Sequence, residues 1–270
     1  MRKFGSALLT GAMVVGLAAS ANAALDKDEL KCEAAMGKNL AKQVAAQNKC
    51  LTSCLSGVSK AVGVFADCQP PYAGLAATCI NDPIKGPKAK AVAAIVKACP
   101  NASASEPECY PLQSGGTTAD TVDDRTTATK NTVDTFVGLV ICEDFVTVLN
   151  KGKYKCATSL AKILAKQVAG LDKLYAKCQG AFLKGSVTYA ACVAVASDPT
   201  TSAAIAALSA KAAAGIEKAC FTAPAVAPTC YGVTPLTFTT GTGWVNLVNS
   251  ATGGPTNLTY CESPSGAFIN

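Results

Sequence analysis

Histidine is absent from this chain, and the absence excludes a good deal. Histidine is the commonest general acid–base and the usual activator of serine or cysteine nucleophiles. Without it a c-type haem attachment motif cannot be written, and zinc or iron–sulfur binding would rest on closely spaced cysteines. No Cys-x-x-Cys occurs. Aromatics are scarce too, with Trp244 the single tryptophan. Paired Asp or Glu could still act as in glycosidases, but such sites need a concave aromatic-lined groove. Arginine is nearly missing: beyond Arg2 there is Arg125 alone, so bidentate phosphate and base-edge contacts are not provided for. After the N-terminal segment no continuously apolar stretch reaches membrane-spanning length. These gaps predict a protein that is not an enzyme, carries no cofactor or metal, binds no nucleic acid and has no membrane span in its mature form.

What is present is an internal duplication. Leu40-Ala-Lys-Gln-Val-Ala45 returns unchanged as Leu164-Ala-Lys-Gln-Val-Ala169. Self-similarity of this kind sets the architecture before any local reading does. At an offset of 124, Cys32, Cys54 and Cys68 fall on Cys156, Cys178 and Cys192. At an offset of 121, Cys99 and Cys109 fall on Cys220 and Cys230. Omitting residues 249–259 aligns Cys142 with Cys261, while Cys50 and Cys79 have no counterpart. Residues 24–150 and 151–270 are therefore read as two tandem units, after a segment 1–23 that reads as a secretory signal. Arg2 and Lys3 give that segment its basic start, Ala7 to Ala19 its apolar run, and Ala21-Asn-Ala23 its small-residue cleavage site.

Export settles how fourteen cysteines are read. In a periplasmic or extracellular setting an even count is a disulfide framework of up to seven bridges. Ala24 to Ser56 reads as a long helix, with acidic residues crowding its start and Ala, Lys, Gln and Leu filling it. Val58 to Asp67 suggests a short helix, and Lys88 to Cys99 a returning one. Asn101 to Lys130, rich in Ser, Thr, Gly and Asp, reads as a surface loop. Thr132 to Leu149 reads as helix, although its β-branched residues suit a strand nearly as well. In the second unit a long helix from Lys153 carries one apolar stripe from Leu160 to Phe182. Ser186 to Ala196 and Thr200 to Cys220 follow as helices. Beyond Cys220, Leu236 and Phe238 suggest a strand, and Trp244–Val248 with Thr256–Tyr260 a hairpin. The fold class expected is mostly α: two disulfide-stapled helical bundles, each with an irregular, possibly β, tail.

Helix geometry constrains the pairing. Cys32 and Cys54 would lie roughly 33 Å apart at about 1.5 Å per residue, far beyond the about 7 Å that a bridge tolerates between Cα atoms. An antiparallel returning helix predicts Cys32–Cys99 and Cys156–Cys220. The opposite turn predicts Cys54–Cys68 and Cys178–Cys192, the tails Cys109–Cys142 and Cys230–Cys261, and the unmatched residues Cys50–Cys79. Sequence alone does not fix connectivity. The staples have a reason: Ala-rich helices bury little apolar area each.

Lysines repeat as well. Lys38, Lys42 and Lys49 share one helix face, and so do their mates Lys162, Lys166 and Lys173. These six are candidate anion-binding residues, either docking a polyanion or simply forming a solvated face inherited by duplication. The apolar stripe likewise reads as core or as the wall of a pocket for a lipid or other hydrophobic small molecule.

The cysteine-framed Lys/Ala-rich helix with its Lys-Ala-Cys helix end, carried by Lys31-Cys32, Leu40 to Ala45, Cys54, Cys68 and Lys97-Ala-Cys99, resembles secreted Cys-rich helical repeat proteins of delta-class proteobacteria. That resemblance implies an exported helical protein and brings no activity with it. The function expected is a structural or interaction role in the cell envelope or extracellular space, with a protein, an envelope surface component or another copy of the chain as partner. A carrier of a hydrophobic molecule is the alternative, and polyanion binding by the lysine faces the third reading.

Overall fold

The structure, a computed structural model, describes residues 27–99, 121–143, 150–183, 186, 199–222, 227–232 and 239–249. These are mostly helical, and no strand occurs among them. The long helix α1 spans Lys27–Val58. Its inward face runs Cys32, Met36, Leu40, Gln43, Gln47, Leu51 and Leu55, all buried at helical spacing. A turn at 59–64 and a 3-10 segment, Phe65–Cys68, replace the short helix expected over 58–67. Helix α2, Gly74–Ile80, was not anticipated; it buries Ala76 and Ile80 behind the Pro70-Pro71 break. Helix α3, Pro87–Ala98, starts on a proline, whose fixed φ and missing N–H suit the first turn.

Helix α4, Thr121–Val140, corrects one reading. The loop expected to reach Lys130 ends earlier: 121–130 is helical and buries Val122, Arg125, Thr126 and Thr129. Negative charge in the first turn offsets part of the poor propensity of threonine, and the hydroxyls are satisfied locally. Asp123 and Asp124 occupy the first turn, where negative charge meets the helix dipole. The threonine hydroxyls bond back onto their own helix, Thr126 to Val122 O at 2.8 Å and Thr132 to Ala128 O at 2.9 Å. Residues 101–120 lie outside the described part.

Helix α5, Lys151–Leu183, is the second long helix, capped where the side chain of Asn150 accepts the Lys153 N–H at 3.0 Å. Helix α6, Pro199–Ile216, runs into a π turn, Glu217–Phe221. The last described element, α7, Gly241–Asn249, is an α-helix where the sequence suggested a strand over Trp244–Val248. The Thr240 hydroxyl accepts the Gly243 N–H at 3.1 Å, and a Glu217 oxygen accepts the Gly241 N–H at 2.7 Å, so the helix start is capped and faces a carboxylate. A Cβ at Gly241 would overlap the Ala213 carbonyl, so only glycine lets α7 approach α6 this closely. Trp244 and Val245 are then buried. Packing has overridden β propensity here. The other proposed strands, near 236–238 and 256–260, lie outside the described residues.

The larger core draws on the whole chain. Leu51, Leu55, Val137 and Val140 pack in one cluster with Leu160, Leu164, Ile216 and Trp244. A smaller cluster joins Met36, Leu40, Ala91, Ile95 and Val122 at the start of α1. Helix α1 packs against α2, α3, α4 and α5, so the boundary at 150–151 is not a gap in the packing.

Five disulfides occur among the described residues. Cys32–Cys99 and Cys156–Cys220 tie each long helix to the end of its returning partner, with Cα atoms 4.9 and 4.8 Å apart. Cys54–Cys68 and Cys50–Cys79 hold the far end of α1. The tail pairing departs from expectation: Cys142 bonds Cys230, replacing both Cys109–Cys142 and Cys230–Cys261. The within-unit reading assumed that each tail folds back on its own helices. Instead the end of α4 and the 3-10 turn Thr229–Gly232 meet over the shared core. Cys109, Cys192, Cys261 and the side chain of Cys178 lie outside the described part. Such a set of bridges belongs to a chain that folds under oxidising conditions.

Candidate functional site: a lysine-lined groove

All six candidate lysines, Lys38, Lys42, Lys49, Lys162, Lys166 and Lys173, are exposed. Three of them converge. A groove of about 800 Å³ runs between α1 and α5, and Lys49, Lys162 and Lys166 line it. On α1 the lining residues are Ala45, Asn48, Lys49, Thr52, Ser53 and Ser56, spaced so that they form one helix face. Tyr154, Thr158, Ser159, Lys162, Ala165, Lys166 and Ala169 form the matching face of α5. The C-terminal half of α1 thus lies along the N-terminal half of α5. The three lysines outside the groove, Lys173, Lys38 and Lys42, are the repeat mates of the three inside. Asn48 fixes the register by donating to the Ala161 carbonyl of α5.

No carboxylate lines the groove, and Lys49, Lys162 and Lys166 pair with no described acid. Their charges reinforce one another along a concave wall, which concentrates positive potential there. Ser53, Ser56, Thr158 and Ser159 add hydroxyls, while Ala45, Ala165, Ala169 and the Tyr154 ring supply an apolar floor. The lysines were legible in the sequence as a repeated face. The hydroxyls were not singled out, although Thr52, Ser53 and Ser56 follow Lys49 at helical spacing.

Two other polar clusters have structural roles. Asp134 on α4 accepts from Gln47 and from the Tyr72 hydroxyl, both at 2.5 Å, and pairs with Lys130 at 2.7 Å. Lys130 also sits 5.5 Å above the Tyr72 ring. Burial, and then the bond to the Asp134 carboxylate, push the Tyr72 hydroxyl well above its ordinary range. Every charged group in this cluster is satisfied within it, so it clamps α4 to α1. At the other cluster Glu143 accepts from Lys153 and from the Thr229 hydroxyl and N–H. Burial pushes the Glu143 carboxyl up, but those bonds outweigh it and hold the group below the usual carboxylate range. Among the described residues no three Cys, Asp or Glu side chains gather as a metal site, and no helix is long and apolar enough to cross a membrane.

The chain matches no family model, no curated protein and no solved structure.

Proposed function

We propose that this is an exported, non-enzymatic interaction protein that docks an anionic partner in the groove between α1 and α5. One observation carries the reading: Lys49, Lys162 and Lys166, from two helices far apart in sequence, meet on one groove without a lining carboxylate. Lysine faces that served only solubility would have no reason to converge. The disulfide framework supports work outside the cytosol, and the net charge, +6 over the whole sequence and +4 without Arg2 and Lys3 of the N-terminal segment, favours an acidic partner. A carrier of a hydrophobic molecule fits less well, because no Leu, Ile, Val, Met or Phe lines the groove.

The test separates groove charge from total charge. A Lys49→Gln/Lys162→Gln/Lys166→Gln variant is compared with Lys90→Gln/Lys97→Gln/Lys211→Gln, which removes equal charge from exposed positions elsewhere. On immobilised dextran sulfate the first should elute at clearly lower salt than the second. Identical elution of the two would sink the groove as the docking site.

A further inference from the structure

We infer that the occupant of the groove is a segment of acidic polysaccharide whose sugars carry carboxylates. This rests on the docking reading above and names its partner.

The chemistry of the lining selects among anions. The groove offers ammonium groups and no guanidinium. Lysine is a compact point charge on a flexible stem, without the planar fork that grips phosphate in two places. Three such charges along a channel match single carboxylates spaced along a chain better than a phosphate cluster. The floor adds a second criterion. Ala45, Ala165, Ala169 and Tyr154 give the lining an apolar part, and Ser53, Ser56, Thr158 and Ser159 a hydroxyl-bearing part. A sugar ring has the same two-sided character: its C–H face packs on methyls and an aromatic ring, while its hydroxyl edge exchanges hydrogen bonds. An acyl chain would leave the Ser53, Ser56 and Ser159 hydroxyls without a new partner, and that costs free energy once they are covered. An acidic polypeptide satisfies the lysines but lacks a ring face for the floor.

The experiment is calorimetric titration of the full disulfide-bonded chain with four probes: polygalacturonate oligomers, their fully methyl-esterified form, poly-glutamate of matched length, and phosphatidylglycerol vesicles. Two variants accompany it, the groove lysine triple and Ala45→Phe, which fills the floor at an exposed position without changing charge. Polygalacturonate should bind, and the methyl ester, poly-glutamate and vesicles should bind at least about tenfold more weakly. Each variant should weaken polygalacturonate by about tenfold or more. If poly-glutamate or the vesicles bind as tightly and the variants weaken them, the sugar assignment falls while the groove keeps an anionic partner. Polygalacturonate that binds both variants as tightly as the unaltered chain overturns the docking site and this inference together. Absence of polygalacturonate binding overturns the inference directly.

Discussion

Cys142, just past the end of α4, is bonded to Cys230, 88 residues further along, with their Cα atoms 6.1 Å apart. Contacts on either side of the bond reinforce this junction. Next to Cys142, Glu143 holds Lys153 and Thr229. Next to Cys230, the Tyr231 hydroxyl donates to the Val140 carbonyl at 2.7 Å, and its ring meets Trp244 edge-on at 4.8 Å. Among the described residues, Cys142–Cys230 is the covalent bond that joins the two halves, and it is set among polar and aromatic contacts.

Removing that bond should loosen the junction without unravelling each half. A Cys142→Ser/Cys230→Ser variant should lose about 2–4 kcal/mol of stability, the usual contribution of one bridge. Chemical denaturation would measure it. A midpoint equal to that of the unaltered chain would show that the surrounding contacts suffice.

The crossed bond also changes what the repeat implies for the remaining tail cysteines. The mates of Cys142 and Cys230 are Cys261 and Cys109. Duplication of a crossed bridge therefore expects Cys109 linked to Cys261. Peptide mapping under non-reducing conditions should recover both cross-unit pairs. Recovery of Cys109 linked to any other cysteine would refute that symmetry.

Acid should weaken the same junction through Glu143. Its folded carboxyl is held below the unfolded value of about 4.3, so its contribution is present above that pH and is lost as pH falls through the lowered folded value. Glu143→Gln should melt below the unaltered chain at neutral pH, and the two should converge once the pH has fallen below the lowered folded value. A constant difference at every pH would assign the effect to shape instead of charge.

Trp244 offers the plainest test of the α7 packing. It is fully buried, and as the single tryptophan it reports its own surroundings by fluorescence. Trp244→Ala should cost about 3–5 kcal/mol, and unfolding should shift the emission of the unaltered chain to longer wavelength. Emission already typical of exposed indole in the folded protein would contradict the helix assignment.

Much of the helical frame was legible because it is local. Ala, Lys, Gln and Leu favour helix wherever they are placed, and α1, α3, α5 and α6 follow that preference. Three of the five bridges could be derived because each closes between elements adjacent in one unit, and Cys50–Cys79 followed from pairing the two cysteines without a repeat mate. The threonine-rich start of α4 and the β-branched α7 were misread for one reason. Their helicity depends on partners supplied from elsewhere: the Gln43 side chain reaching the Thr126 carbonyl at 2.7 Å, Glu217 facing the start of α7, and the core covering Trp244.

The sequence by itself determined the long cysteine-framed helices, the Leu-Ala-Lys-Gln-Val-Ala motif that both carry and the two lysine faces, because each is a matter of spacing along one helix. Only the tertiary structure decided that the second half of α1 lies against the first half of α5. That offset brings Lys49 to Lys162 and Lys166 and leaves their repeat mates outside the groove. It also decided that the tails cross, through Cys142 and Cys230. Both outcomes depend on how α1, α5 and the segments that follow them bury apolar surface against one another, and a motif repeated along the chain does not encode its own mutual register.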